Sequence, residues 1–149
     1  MTEQSFTASR LWQAADISPD TYHQWRARKF LPSKAEGSGK PQLYSPAEVF
    51  RVAVLARLVT LGISIKMADL GFSVAAAETT YKSTGGKPYF LMYDPAEDQP
   101  GSQWSPLRAA GRTVGEAELA KEVGKYEAVA VVSLDKIKAR VKRVLGIDS

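Results

Sequence analysis

Residues 18–32 read SPDTYHQWRARKFLP and concentrate polar and cationic side chains on one short segment. His23, Gln24, Arg26 and Arg28 follow one another closely within it. Glutamine forms paired hydrogen bonds with adenine, and arginine does so with guanine or contacts phosphate. Such side chains on a surface helix predict contact with base edges and backbone in a DNA groove.

The same inventory argues against catalysis and metal binding. The chain has no cysteine, which excludes disulfides and thiolate metal sites, and His23 is its single histidine. A general base needs a positioned partner, and no such pair is visible. The acidic residues Asp94, Glu97 and Asp98 lack the ligand spacing of a calcium loop and are interpreted as loop solvation. We therefore expect no enzyme, no cofactor and no metal.

Two short helices must position the segment. Thr7 is the expected N-cap of a helix over Ala8–Ala15, whose apolar residues recur at helical spacing. Ser18 caps a second helix, and proline at the next position fits the first helical turn. That helix should run to about Lys29, because the proline at position 32 cannot continue it. This order of helix starts and ends predicts a helix-turn-helix.

Residues 34–44 contain two glycines and a proline and predict a loop or a small two-stranded ribbon. Ser45 and Glu48 then form a capping box that begins a helix over residues 46–61, apolar almost all round and therefore central. Gly62 ends this helix, and Ser64 caps a fourth one that is predicted to continue through residues 65–81.

The second half has shorter elements. The sequence predicts strands over residues 88–93 and 128–132. The second segment is apolar on both faces, which predicts a strand covered on both sides. Residues 94–106 predict a surface loop and residues 116–123 a short helix. Ser133 should cap a last helix over Leu134–Leu145. Its basic residues form either a solvated face or a second nucleic-acid contact: Lys136, Lys138, Arg140, Lys142 and Arg143.

Charge and hydropathy set the broad class. The net charge is +4, and residues 1–62 carry eight Lys/Arg against five Asp/Glu, whereas the remainder carries twelve against eleven. A mild cationic excess is compatible with nucleic acid. Apolar stretches are too short for a membrane span, and the N-terminus lacks the order of a signal peptide. We expect a cytoplasmic protein without membrane contact.

The sequence from Phe6 to about Phe72 resembles the DNA-binding domain of the MerR family of regulators. The segments that carry the resemblance are ASRLWQAADISPDTYHQWRARKFLPS, for two opening helices, and GKPQLYSPAEVFRVAVLARLVTLGISIKMADL, for a wing and two further helices. This covers slightly under half of the chain. The family usually has arginine where His23 and Gln42 stand, and an aromatic residue where Gln24 stands.

The resemblance implies a winged helix-turn-helix that binds double-stranded DNA through a recognition helix and a wing. Its expected DNA-binding residues are Ser18, Thr21, Tyr22, His23, Gln24, Trp25, Arg26, Arg28, Lys34, Lys40, Gln42 and Tyr44. Metal-sensing relatives use cysteines, so metal or thiol sensing is not expected here.

We therefore expect an α+β chain with two parts. Residues 1–82 would form a winged helix-turn-helix of four helices and a small β-wing, and residues 83–149 a small α/β module for dimerisation or partner binding. The expected function is transcriptional regulation by a homodimer, because a two-fold dimer joins two half-sites. Two alternatives stay open: a phage-type architectural or packaging protein, resembling an excisionase or small terminase subunit, and a regulator whose second half senses a small molecule. Tyr89, Phe90, Tyr93 and Trp104 could line such a sensor pocket.

Overall fold

A computed structural model describes residues 4–31, 42–83, 85–94 and 110–147. These ranges form an α+β fold of seven α-helices, one 3-10 turn and a three-stranded antiparallel sheet. In chain order the elements are α1 Ala8–Ala15, α2 Pro19–Ala27, α3 Pro46–Thr60, α4 Ile65–Gly71, α5 Val74–Lys82, β1 Tyr89–Tyr93, β2 Ala110–Val114, the 3-10 turn Glu116–Glu118, α6 Leu119–Val123, β3 Val129–Ser133 and α7 Leu134–Leu145.

Serine side chains begin five of the helices. An oxygen of each accepts a hydrogen bond from a backbone N–H three residues on, which satisfies a donor that the helix itself leaves unpaired. The capping box at α3 is complete, because the Ser45 N–H also donates to Glu48 at 3.0 Å. The predicted caps are confirmed at α2, α3, α4 and α7. Thr7 precedes α1 but forms no side-chain cap hydrogen bond.

The predicted single helix over residues 65–81 is wrong. The chain leaves the helical conformation at Phe72 (φ −116°, ψ 90°), and Ser73 caps a separate helix, α5. Arg51, a buried cation on the largely apolar helix α3, holds this break in place. Its guanidinium donates to the Phe72 carbonyl at 2.9 Å and to the Asp69 carboxylate at 2.7 Å. The break therefore depends on a contact about twenty residues distant in sequence.

The sheet has the order β2-β1-β3, so β1 is central. Register pairs Leu91 with Arg112 on one side and with Val131 on the other. The strand predicted over residues 128–132 is confirmed as β3 Val129–Ser133. Its expected cover on both faces is not found, because most of its side chains are only half-buried. The strand β2 was not predicted, since its residues AGRTV include a glycine and a charge.

One cluster of buried side chains includes residues from both halves of the chain. Helix α3 lies at its centre, with α1, α5 and α7 packed against it. Leu134, Ile137, Val141 and Leu145 of α7 belong to the same cluster as Leu11 of α1. The division of the chain into domains at residues 82 and 83 stays a prediction. Buried side chains from both sides of that boundary belong to this one cluster.

Candidate nucleic-acid interface

The helices α1 and α2 are joined by a three-residue turn over residues 16–18. Asp16 adopts the left-handed conformation (φ 59°, ψ 48°), and its N–H donates to the Gln13 carbonyl, which closes α1. Ser18 then begins α2, where its Oγ accepts from the Thr21 N–H at 3.0 Å and donates to the Thr21 hydroxyl. A turn this short fixes the start of α2 close to the end of α1.

One stripe of α2 is buried. Tyr22 is 1% exposed and Trp25 is 5% exposed, and both belong to the core cluster. The Tyr22 ring packs edge-to-face against Trp12 of α1, with 5.6 Å between ring centroids. Aromatic pairs in this geometry stabilise packing beyond their buried area. The stripe therefore fixes the rotation of α2 about its own axis.

The opposite face of α2 is open to solvent. His23, Gln24, Arg26 and Arg28 are all exposed, and Thr21 is half-buried. The Arg28 guanidinium lies 4.8 Å from the centroid of the Phe30 ring, which supports its side chain without neutralising its charge. The His23 ring packs edge-to-face against Tyr22 at 5.2 Å. These exposed residues, three in α2 and Arg28 directly after it, form the solvent-facing surface here called the α2 face.

Tyr22 and Tyr44 join α2 to the strand-like segment before α3. Their hydroxyl oxygens lie 2.7 Å apart, and Tyr44 is fully buried. Tyr44 also forms an isolated antiparallel bridge with Phe6, with two backbone hydrogen bonds of 2.8 Å. Burial, and then the hydrogen bond shared with Tyr22, raise the pKa of Tyr44 far above its ordinary value. Tyr44 is therefore a neutral support beneath the α2 face, and Tyr22 is buried beside it.

The predicted wing is only partly described. Lys34 and Lys40 lie outside the described residues. Gln42 is described and is 6% exposed, with its amide nitrogen 3.5 Å from the Leu43 carbonyl. Near this segment, strand pairing within the described ranges is limited to the single bridge between Phe6 and Tyr44.

Further cations of the described residues were absent from the predicted site. Lys29 is exposed and left-handed (φ 65°) directly after α2, and the run RARK could have indicated it. Arg140 of α7 lies close enough to Arg57 of α3 and to the turn residue Asp16 to interact with both. Burial and the charge of Arg57 lower the pKa of Arg140. Only the folded chain brings these arginines together.

The described residues contain no group of three or more histidine, cysteine, aspartate or glutamate side chains that could hold a metal ion. In the same ranges no helix is long and apolar enough to cross a lipid bilayer. Of the aromatics suggested for a sensor pocket, Phe90 is buried in the core, Tyr89 and Tyr93 are half-buried, and Trp104 lies outside the described residues.

No family model matches the chain, and no curated protein shows significant similarity to it.

Proposed function

We propose that the chain binds double-stranded DNA through the α2 face and acts as a transcriptional regulator. The observation that carries this proposal is the division of α2 into a buried aromatic stripe and an exposed face with Gln24, Arg26, Arg28 and His23. A core needs only the first of these faces. The second face offers hydrogen-bond donors and acceptors of the kinds that read bases and hold phosphates.

The proposed contacts divide by chemistry. Gln24, near the middle of α2, would contact base edges, because its amide both donates and accepts. Arg26, Arg28 and Lys29 at the C-terminal end would contact phosphates, whose negative charge they partly neutralise. Ser18 and Thr21 form the N-terminal cap and would position the helix. Tyr22, Trp25 and Tyr44 would act as buried supports. We also propose that residues 1–82 form a winged helix-turn-helix.

We further propose a homodimer, since one short helix reads too few base pairs for tight binding. The outer edge of β3 is the surface we assign to it. The Leu134 N–H donates to the Pro88 carbonyl, and this position is in register with the β1–β3 ladder. Hydrogen bonding alternates along an antiparallel ladder, so Val129 and Val131 direct their N–H and C=O groups away from β1. Within the described ranges no strand pairs with that edge, and two copies could join there in antiparallel fashion.

The test of DNA binding uses fluorescence anisotropy with a random-sequence duplex pool, followed by selection and sequencing of bound DNA. We expect affinity to fall steeply with salt, and Arg26→Gln to reduce the slope of log affinity against log salt by about 1. Lys121→Gln on α6 is the matched control, because it removes the same charge from an exposed helix outside the α2 face. Equal slopes for both variants, or binding no stronger than that of a globular protein of equal charge, would refute the proposal.

The dimer has its own test. Val131→Lys places a charge on the strand that would pair, and we expect it to shift the mass in light scattering toward the monomer. Thr113→Lys on the opposite edge strand β2 is the control and should leave the mass unchanged. A monomeric wild type at concentrations that saturate DNA would contradict the dimer while leaving DNA binding intact.

Selected sites at promoters favour a regulator, and sites at attachment or packaging sequences favour the phage-type alternative.

A further inference from the structure

A groove lies between α7 and the end of α5, on a part of the molecule that the proposed DNA contacts do not use. Its volume is about 620 Å³, within the range of small-molecule sites. Thr80 and Ser83 line one wall, and one face of α7 lines the other. Residues three and four apart share a helix face, which explains why positions 135, 138, 139 and 142 all border it.

The groove combines an apolar floor with a cationic rim. Pro88, Leu134, Ala139 and Ile147 supply apolar surface. Lys138, Lys142 and Arg143 supply three positive charges, against the single carboxylate of Asp135. Such a composition suits a ligand that has both an apolar body and a negative charge, because each part then meets its complement.

The two lysines are held in place over one aromatic ring. The Lys138 ammonium donates to the Ser83 carbonyl at 2.8 Å and lies 5.2 Å from the centroid of Tyr81. Lys142 lies 5.6 Å from the same ring. Burial and the neighbouring Lys142 charge lower the pKa of Lys138. Like charges held this close repel each other, and an anion between them would relieve that repulsion.

Neither Lys142 nor Arg143 forms an ion pair within the part of the chain that the structure describes. Their charges therefore stay available at the rim of the groove. In a concave site with apolar walls, the field of such charges is concentrated rather than spread over open surface.

We propose that this groove binds a small amphipathic anion, namely an organic carboxylate or phosphate monoester with an apolar body. The charge excess of the rim selects the anion, the floor accepts the apolar body, and the volume limits the ligand to a small molecule. The site is distinct from the α2 face, so it holds whether or not the chain binds DNA.

The experiment uses the full chain and two defined probes. Anilinonaphthalene sulfonate, an aromatic anion, is titrated by fluorescence, and decanoate is titrated by calorimetry and as its competitor. We expect saturable binding of one probe molecule per chain and mutual displacement. Decanol, which has the same apolar body without the charge, should bind at least about tenfold more weakly, corresponding to the loss of one favourable charge contact.

Variants on α7 assign the probe to the groove. Lys142→Gln should raise the dissociation constant of decanoate about tenfold, whereas Lys142→Arg should keep it within about threefold because the charge stays. Lys136→Gln is the matched control, since it removes the same charge from an exposed position of α7 that does not line the groove. Ala139→Trp should fill the groove and abolish binding, with circular dichroism confirming that the fold persists.

Three results would overturn the proposal. These are the absence of saturable binding up to millimolar decanoate, equal effects of Lys142→Gln and Lys136→Gln, and equal affinities for decanoate and decanol. None of these measurements involves DNA, so failure here is distinguishable from failure of the proposed function.

Discussion

The buried pair of tyrosine hydroxyls beneath α2 allows a quantitative test. Tyr22 and Tyr44 are at most 1% exposed, and their oxygens lie 2.7 Å apart, the usual O–H···O distance. Tyr22→Phe or Tyr44→Phe removes one hydroxyl and leaves the other buried without its partner. An unsatisfied buried hydroxyl costs about 1–3 kcal/mol, and we expect about 1.5 kcal/mol for each single variant.

The double variant should behave differently. Replacing both partners by apolar groups of the same shape is nearly neutral, so we expect it to lose less than about 1 kcal/mol relative to wild type. The two single effects would then be non-additive by about 2 kcal/mol, within the range for residues in direct contact. The measurement is urea unfolding followed by tryptophan fluorescence, with an unchanged m-value showing that only stability has changed.

Tyr89→Phe on β1 serves as the control for losing a phenol that lacks this partner. It is half-buried, and its effect should stay within about 0.5 kcal/mol. A double variant as unstable as the sum of the two singles would refute the reasoning, because the hydroxyls would then act separately. If the phenols only support α2, DNA binding by the double variant should be unchanged, including its dependence on salt. If the phenols contact DNA directly, the double variant should bind DNA with lower affinity.

Two further predictions concern the same core and the sheet. Tyr44 stays protonated in the folded chain well above the pH of about 10 at which an unfolded tyrosine ionises. Its contribution to stability is therefore present below pH 10 and is lost above it, at up to about 1.4 kcal/mol per pH unit. Urea midpoints should consequently fall more steeply above pH 10 in wild type than in the Tyr22/Tyr44 double variant. Gly111→Ala would place a Cβ 2.7 Å from the Gly71 carbonyl oxygen and in closer conflict with the Phe90 ring, and overpacking of this kind should cost about 1–3 kcal/mol. Gly71→Ala meets only the flexible end of Met92 and should cost less; equal midpoints for both variants in thermal unfolding would contradict this argument.

The helix starts were predictable because their signals are local. A capping serine marks the start of α2, α3 and α7, a proline follows it at α2 and α3, and α3 adds a glutamate at the third position. These signals need no distant partner. The bounds of α1 and α7 agree with the prediction for the same reason, since Asp16 and Gly146 take left-handed conformations directly after the helices.

The failures concern contacts between distant residues. Nothing near Phe72 in sequence announces that Arg51 will bind its carbonyl and separate α4 from α5. The strand β2 forms because β1 pairs with it and because Gly111 leaves room for Phe90. An apolar run such as residues 128–132 does not reveal whether it lies at the centre or the edge of a sheet.

The candidate site was predictable to the same extent. Spacing along α2 indicated which side chains share a surface, and the exposed set of His23, Gln24, Arg26 and Arg28 follows it. Trp25 was among the residues expected to bind DNA, whereas the fold buries it. The approach of Arg140 to Arg57 and Asp16 could not be predicted, because these residues are far apart in the sequence.

The packing of α7 against α1 and α3 has a consequence for biosynthesis. A nascent chain that has emerged from the ribosome only as far as α5 lacks the helix that covers one side of α3. Exposed apolar surface of this kind attracts chaperones and other unfolded chains. We therefore expect α1, α2 and α3 to reach their final packing only after α7 has been translated, so that ribosomes stalled between α5 and α7 would carry protease-sensitive chains.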